Sequence, residues 1–250
     1  MRANDGAERV VRVLDLLGSA GDGLGVRELA RRLDVHPSTA SRLLGTLAGT
    51  GFVERDPGSA RYRLGTRVVG LAAATVALLP VVSQARPELE QLAAVTSETA
   101  NLSVLDRFHV VYVDQVTPAH TVVMASWVGR RSPVHASSSG KVMIAFGDPR
   151  TREALLRRRL EGLTPRTITD PVKLARTLDQ ARRQGYASGS GELEDGLVTL
   201  AAPVLVAGRA AAALSVSGPA YRLPSRDLAQ LARHVMDAAA AVSHRMTGRR

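Results

Sequence analysis

Cysteine is absent from this 250-residue chain, which removes disulfide scaffolds, thiolate metal sites and cysteine nucleophiles together. Lysine is nearly absent too. Lys141 and Lys173 are the only two, so almost all of the formal +10 charge rests on arginine. Arginine in place of lysine beside abundant alanine partly reflects codon usage in a GC-rich genome, and such charge favours polyanions only where it clusters. Aromatic residues make up 3%, so the core is built mainly from Ala, Val and Leu. The first residues, MRANDGAERVV, carry two acids and no apolar stretch of signal-peptide type. Secretion is unsupported, and a reducing cytoplasm is the expected location. The one long uncharged run, Val68 to Ala85, approaches the about 20 residues a membrane span needs. It is Ala-rich and broken by Pro80, so a buried or dimer-forming helix is expected rather than a membrane contact. The six histidines (36, 109, 120, 135, 234 and 244) show no ligand spacing, so neither a metal nor another cofactor is expected. Gly189-Ser190-Gly191 lacks the leading glycine of a nucleophile elbow, and there is no phosphate-binding loop, which leaves enzymatic chemistry unsupported.

What is present is a pattern of short helices. Hydrophobic residues make up 45% of a length that suits two ordinary domains. Val10, Val13, Leu14 and Leu17 recur at helical spacing, and a glycine-rich loop follows. Val26, Leu29, Ala30 and Leu33 form a second stripe. After His36, Pro37 opens a third helix whose core face is Ala40, Leu43, Leu44 and Leu47. Gly45 inside that helix costs up to about 1 kcal/mol against alanine, and packing is expected to carry it. Phe52 to Arg55 and Ala60 to Leu64 read as two strands around an Asp56-Pro57-Gly58-Ser59 turn. Three helices and a hairpin make a winged helix-turn-helix over residues 1–65.

A helix fits the major groove of double-stranded DNA, and short polar side chains at its N-terminal end reach bases or phosphates. That end carries Ser38, Thr39, Ser41 and Arg42. Arg27, and Arg61 and Arg63 on the wing, complete the candidate DNA-binding set. From Arg27 to Arg67 eight arginines face four acids, a moderate patch. The same fold also serves as a protein-contact module, so a sensor or enzyme using the winged helix for protein contacts stays open. Residues 66–80 read as an apolar linker helix, the candidate dimerisation element. Residues 81–250 alternate strands and helices: a helix to Thr96, a hairpin around Asp106-Arg107, a strand Thr121–Val128 and a helix opened by Ser137-Ser138-Ser139-Gly140-Lys141. Further strands end at Ser190, Val206 and Ser217, and a helix Pro224–Arg245 closes the chain. This order gives an α+β sheet domain with a ligand-sized cavity.

The motifs Ser38 to Leu47 (S-T-x-S-R-L-L-x-T-L), Tyr62 to Gly65, Ser139 to Lys141, Gly185 to Ala187, Glu192 to Gly196, Ala201 to Val204 and Leu214 to Pro219 together resemble the IclR-type bacterial transcription regulators over essentially the whole chain. The resemblance implies a GAF-like effector-binding domain and operator binding as a homodimer or dimer of dimers. It also implies control by a small-molecule effector, often an organic or aromatic acid. It places Ser138, Ser139 and Gly140 at a helix N-terminus beside the effector and Ser215 and Ser217 on one strand face. Leu200 becomes a pocket wall, and Glu192 or Glu194 lies on a neighbouring loop. The chain departs from the family in having serines where a small apolar residue is frequent. A more polar pocket and a simple helix cap are both readings of that difference.

Overall fold

The computed structural model describes residues 5–118, 126–223 and 228–248. The chain separates into two compact units, Met1–Leu78 and Leu79–Arg250.

In the first unit, α1 (Asp5–Gly18), α2 (Val26–Leu33) and α3 (Pro37–Gly49) precede the hairpin β1 (Val53–Arg55) and β2 (Tyr62–Leu64), and α4 (Arg67–Ala77) follows. Val13 and Leu17 of α1, Leu29 and Leu33 of α2, and Ala40, Leu44 and Leu47 of α3 bury into one core. The turn between α2 and α3 is made by Asp34 at φ 55, a conformation that asparagine and aspartate tolerate. His36 caps α3, its Nδ1 accepting from the Ser38 amide at 3.3 Å, and Pro37 fills the position where no amide donor is needed. The wing turn is organised by Asp56, whose carboxylate accepts from the Gly58 and Ser59 amides; these bonds hold its pKa below the ordinary value. Leu24 pairs with Tyr62 as an extra rung on the hairpin.

The second unit runs α5 (Pro80–Thr96), β3 (Thr99–Asp106), β4 (His109–Val116), β5 (Arg131–Pro133), α6 (Ser138–Ala145), α7 (Pro149–Leu156), α8 (Pro171–Gln184), β6 (Ala187–Ser190), β7 (Leu197–Val206), β8 (Arg209–Pro219) and α9 (Leu228–Met246). The strands form one antiparallel sheet in the order β5-β4-β3-β8-β7-β6. Strand alternation divides its residues between two layers. Leu102, Leu200, Ala202, Leu214 and Val216 pack on α5 and α9. Tyr112, Ala201 and Ala213 belong with Val142 of α6 and Leu174 and Leu178 of α8. The expected strand Thr121–Val128 lies mostly outside the described residues. Ser126 to Val128 are loop, and among the described residues β5 forms that edge of the sheet. The start expected for the last helix, Pro224, also lies outside them. No single helix among the described residues is long and apolar enough to cross a membrane.

Candidate functional site

The outer face of α3 carries Ser38, Ser41, Arg42 and Gly45, all exposed and spaced to share one side of the helix, with Thr39 half-buried beside them. The Ser38 hydroxyl lies 2.8 Å from His36 Nδ1, so its direction is set by the cap. A Cβ built on Gly45 would meet no atom within 4 Å. Packing within the unit therefore does not require this glycine; the buried Ala40, Leu44 and Leu47 hold the helix in place, and it presents a thin, polar strip outward. Arg27 is exposed on α2, and among the described residues neither it nor Arg42 joins an ion pair.

The two wing arginines differ. Arg63 is exposed and pairs with Glu54 across the hairpin at 2.6 Å, where the register sets the two opposite each other. Arg61 turns inward. Its Nε donates to the Asp22 and Gly23 carbonyls at 3.0 and 3.1 Å, and its Nη2 donates to the Gly23 carbonyl at 2.7 Å and approaches Glu28 at 3.3 Å. The structure thus corrects the expected role of Arg61: it braces the wing against the loop between α1 and α2. Arginine charge counted from sequence overstates the free cations of this unit for the same reason. Arg32 pairs with Glu28, and Arg67 donates to the Thr50 carbonyl and lies over the Phe52 ring.

In the second unit a small cavity is lined by Asn101 of β3, Tyr112 of β4, Trp127, Ser138 of α6, Leu197 and Thr199 of β7, and Ser215 and Ser217 of β8, with Leu193 at its edge. Its volume is about 10 Å³, room for about one water molecule. Antiparallel register assembles it: Asn101 stands opposite Ser215, and Thr199 stands opposite Ser217. Asn101 Nδ2 donates to Ser217 Oγ at 3.1 Å, a bond between residues 116 apart in the chain. On the same face of β3, Thr99 Oγ1, Asn101 Oδ1 and Ser103 Oγ are buried with no hydrogen-bond partner. Each such atom costs about 1–3 kcal/mol unless something supplies a partner. Tyr112 and Trp127 meet edge to face at 5.2 Å, and burial raises the Tyr112 pKa.

Of the residues expected at this site, Ser138, Ser215 and Ser217 converge on the cavity. Leu200 does not. Because Ala201 and Thr199 pair with Ser215 and Ser217, Leu200 points to the opposite layer and packs with α5 and α9. Gly140 does not line the cavity either. Its Cα is pressed against the Val134 backbone, where a side chain would clash, and its amide donates to Ser137 Oγ, the cap of α6. Ser139 is buried off the cavity wall. Glu192 accepts a 2.6 Å bond from Lys141 Nζ, whose side chain is 0% exposed. Burial lowers the Lys141 pKa, with Glu192 opposing that shift. Asn101, Tyr112, Trp127, Leu197 and Thr199 were missed. For Leu197 and Thr199 the signal was available in their two-residue spacing ahead of the Ala201-Ala202-Pro203-Val204 run.

Of the arginines outside the first unit, Arg158 lies over the Phe108 ring, and Arg182 donates to the Ala145 carbonyl at 2.7 Å.

Residues 6–57 match the family model for the IclR helix-turn-helix domain, and residues 73–244 match that for the bacterial transcriptional regulator IclR C-terminal region. The chain is 37% identical over 245 residues to the HTH-type transcriptional regulator BhcR of Paracoccus denitrificans (strain Pd 1222), covering 97% of this chain and 88% of that protein. It is 33% identical to the HTH-type transcriptional regulator XynR of Escherichia coli (strain K12), covering 94% of each. Among solved structures, that of an IclR homolog from Microbacterium hydrocarbonoxydans complexed with 4-hydroxybenzoate aligns with a TM-score of 0.81 at 30% identity, covering 95% of this chain and 97% of that one.

Proposed function

The chain belongs to the IclR family of bacterial transcriptional regulators, and from that premise we propose that α3 reads a DNA operator while the hydroxyl-lined cavity senses a small organic hydroxy acid. It is a DNA-binding regulator rather than an enzyme. The observation that carries the assignment to α3 is its outward strip of Ser38, Ser41, Arg42 and Gly45. Close approach of a partner to this strip accounts for a mid-helix glycine that the fold itself does not use. Ser38, Ser41 and Arg42 then face base edges or phosphates, with Thr39, Arg27 and Arg63 as flanking backbone contacts.

One unit of this moderate charge binds weakly, and a second copy supplies the rest. Val69 and Leu71 on α4 are 68% and 54% exposed, an apolar surface suited to a homodimer or a dimer of dimers. Residues 66–80 act as linker and dimerisation element between a DNA-binding domain, 1–65, and an effector domain, 81–250. Pairing sets two copies of α3 on half-sites about 34 Å apart. The protein works in the cytoplasm, beside the DNA it reads.

Among the described residues no charged side chain lines the cavity. A carboxylate is favoured there by the hydroxyls of Ser138, Ser215 and Ser217 and by the N-terminal end of α6. Asn101 Oδ1 requires a donor, which a hydroxyl on the ligand brings. The 4-hydroxybenzoate held by the Microbacterium homolog has both groups and a ring that suits Tyr112 and Trp127. A molecule of that size enters only if Trp127 and Leu193, both on loops, move outward. That movement is the event that ligand binding transmits. The test is operator affinity with and without 4-hydroxybenzoate and related hydroxy acids. Ser215→Ala with Ser217→Ala abolishes the response and leaves basal DNA affinity unchanged; a response that persists in the double variant places the effector elsewhere.

A further inference from the structure

A second cavity, of about 460 Å³, lies at the β6 edge of the same sheet and shares no lining residue with the first. Its volume falls within the about 300–1,000 Å³ of small-molecule sites. Ile168, Val198 and Leu223 give it an apolar wall, while Arg166 and Lys173 supply two cations. Among the described residues neither cation is in an ion pair. The nearest acid along the chain, Asp170, is engaged by the Val172 amide at 2.8 Å as the cap of α8. The stem of Arg166 lies over Gly191, where a Cβ would stand 3.0 Å from its Cδ, so the guanidinium is held at the cavity by close packing.

The remaining wall is Glu192. Lys141 neutralises this carboxylate through Oε1, but Oε2 is buried with no hydrogen-bond partner. A Cβ on Gly189 would lie 3.3 Å both from Glu192 Oε1 and from Thr199 Oγ1. Gly189 thus marks the partition between this cavity and the first, which Thr199 lines. Two uncompensated cations, one orphaned acceptor and an apolar wall define a complementary molecule.

We propose that this cavity is a second ligand site, for a small organic anion that also carries a hydroxyl or amino donor, its anionic group on Arg166 and Lys173 and its donor on Glu192 Oε2. The site is independent of the one assigned to the effector. Either a phosphate ester or a carboxylate satisfies it, and two probes separate them. Isothermal titration of the full-length protein with glycerol phosphate and with glycerate shows saturable binding of at least one, and none of uncharged glycerol. Arg166→Ala with Lys173→Ala removes only exposed side chains and weakens that binding at least tenfold. Ser215→Ala with Ser217→Ala, in the first cavity, leaves it unchanged. Absence of binding by both probes at millimolar concentration, equal binding by the Arg166/Lys173 variant, or loss of binding in the Ser215/Ser217 variant overturns the proposal.

Discussion

Replacing Gly45 by alanine separates the demands of the fold from those of DNA. Glycine in a helix interior costs about 1 kcal/mol relative to alanine. The new methyl group meets no atom within 4 Å, so no clash offsets the gain. Gly45→Ala therefore stabilises α3 by about 1 kcal/mol, which slows hydrogen exchange of its amides about fivefold. Exchange is the suitable assay because it reports α3 locally in a chain of two units. On DNA the same methyl group stands where the helix meets the groove. An extra methyl group in a close-packed contact costs about 1–3 kcal/mol, so operator affinity falls about fivefold or more. A more stable helix with weaker DNA binding is the predicted pair of results. Slower exchange with unchanged affinity would show that this face of α3 does not touch DNA. Faster exchange would refute the open space around Gly45.

Three further substitutions test individual assignments. Arg42→Ala weakens operator binding by about 1–3 kcal/mol if Arg42 reads a base, with little effect on scrambled DNA; an equal loss on both makes it a phosphate contact. Arg63→Ala reduces the slope of log affinity against log salt by about 0.9, whereas Arg61→Ala, which only unties the wing, lowers affinity without changing that slope. Glu192→Gln leaves the Lys141 ammonium buried and unpaired, costing about 3–5 kcal/mol of stability at pH 7. Because burial depresses the folded-state pKa of Lys141 below 10.5, the unfolded chain holds the proton longer, and stability rises with pH within that window. The deficit of Glu192→Gln against wild type in denaturant titrations thus shrinks from pH 7 to pH 10. A deficit that stays constant or grows contradicts the assignment.

Local elements were legible in the sequence because local chemistry sets them. Pro37 after His36 marked the start of α3, and the Asp56-Pro57-Gly58-Ser59 turn marked the wing. The helical stripes of α1 to α3 named nearly the whole first core. What escaped depended on pairing at a distance. The spacing of Ser215 and Ser217 showed that they share a face, but only the register with β7 and β3 shows that Thr199 and Asn101 share it too. A slip of one residue on a strand reverses the face, which is why Leu200 was placed in the cavity and belongs to the opposite layer. Charge was misread in a similar way. Arg61 and Arg63 are two apart on the wing, yet a loop nearly forty residues upstream takes one of them out of play. The Lys141–Glu192 pair joins residues 51 apart, a separation at which spacing along the chain reveals nothing.

Selection of tight-binding duplexes from a random-sequence pool by the full-length protein tests the central claim most directly. The account predicts enrichment of an inverted repeat whose half-sites lie about 34 Å apart, one per copy of α3, with the enrichment lost when Ser41 and Arg42 are replaced by alanine. Duplexes retained without any common sequence, or retained equally by that variant, would contradict it.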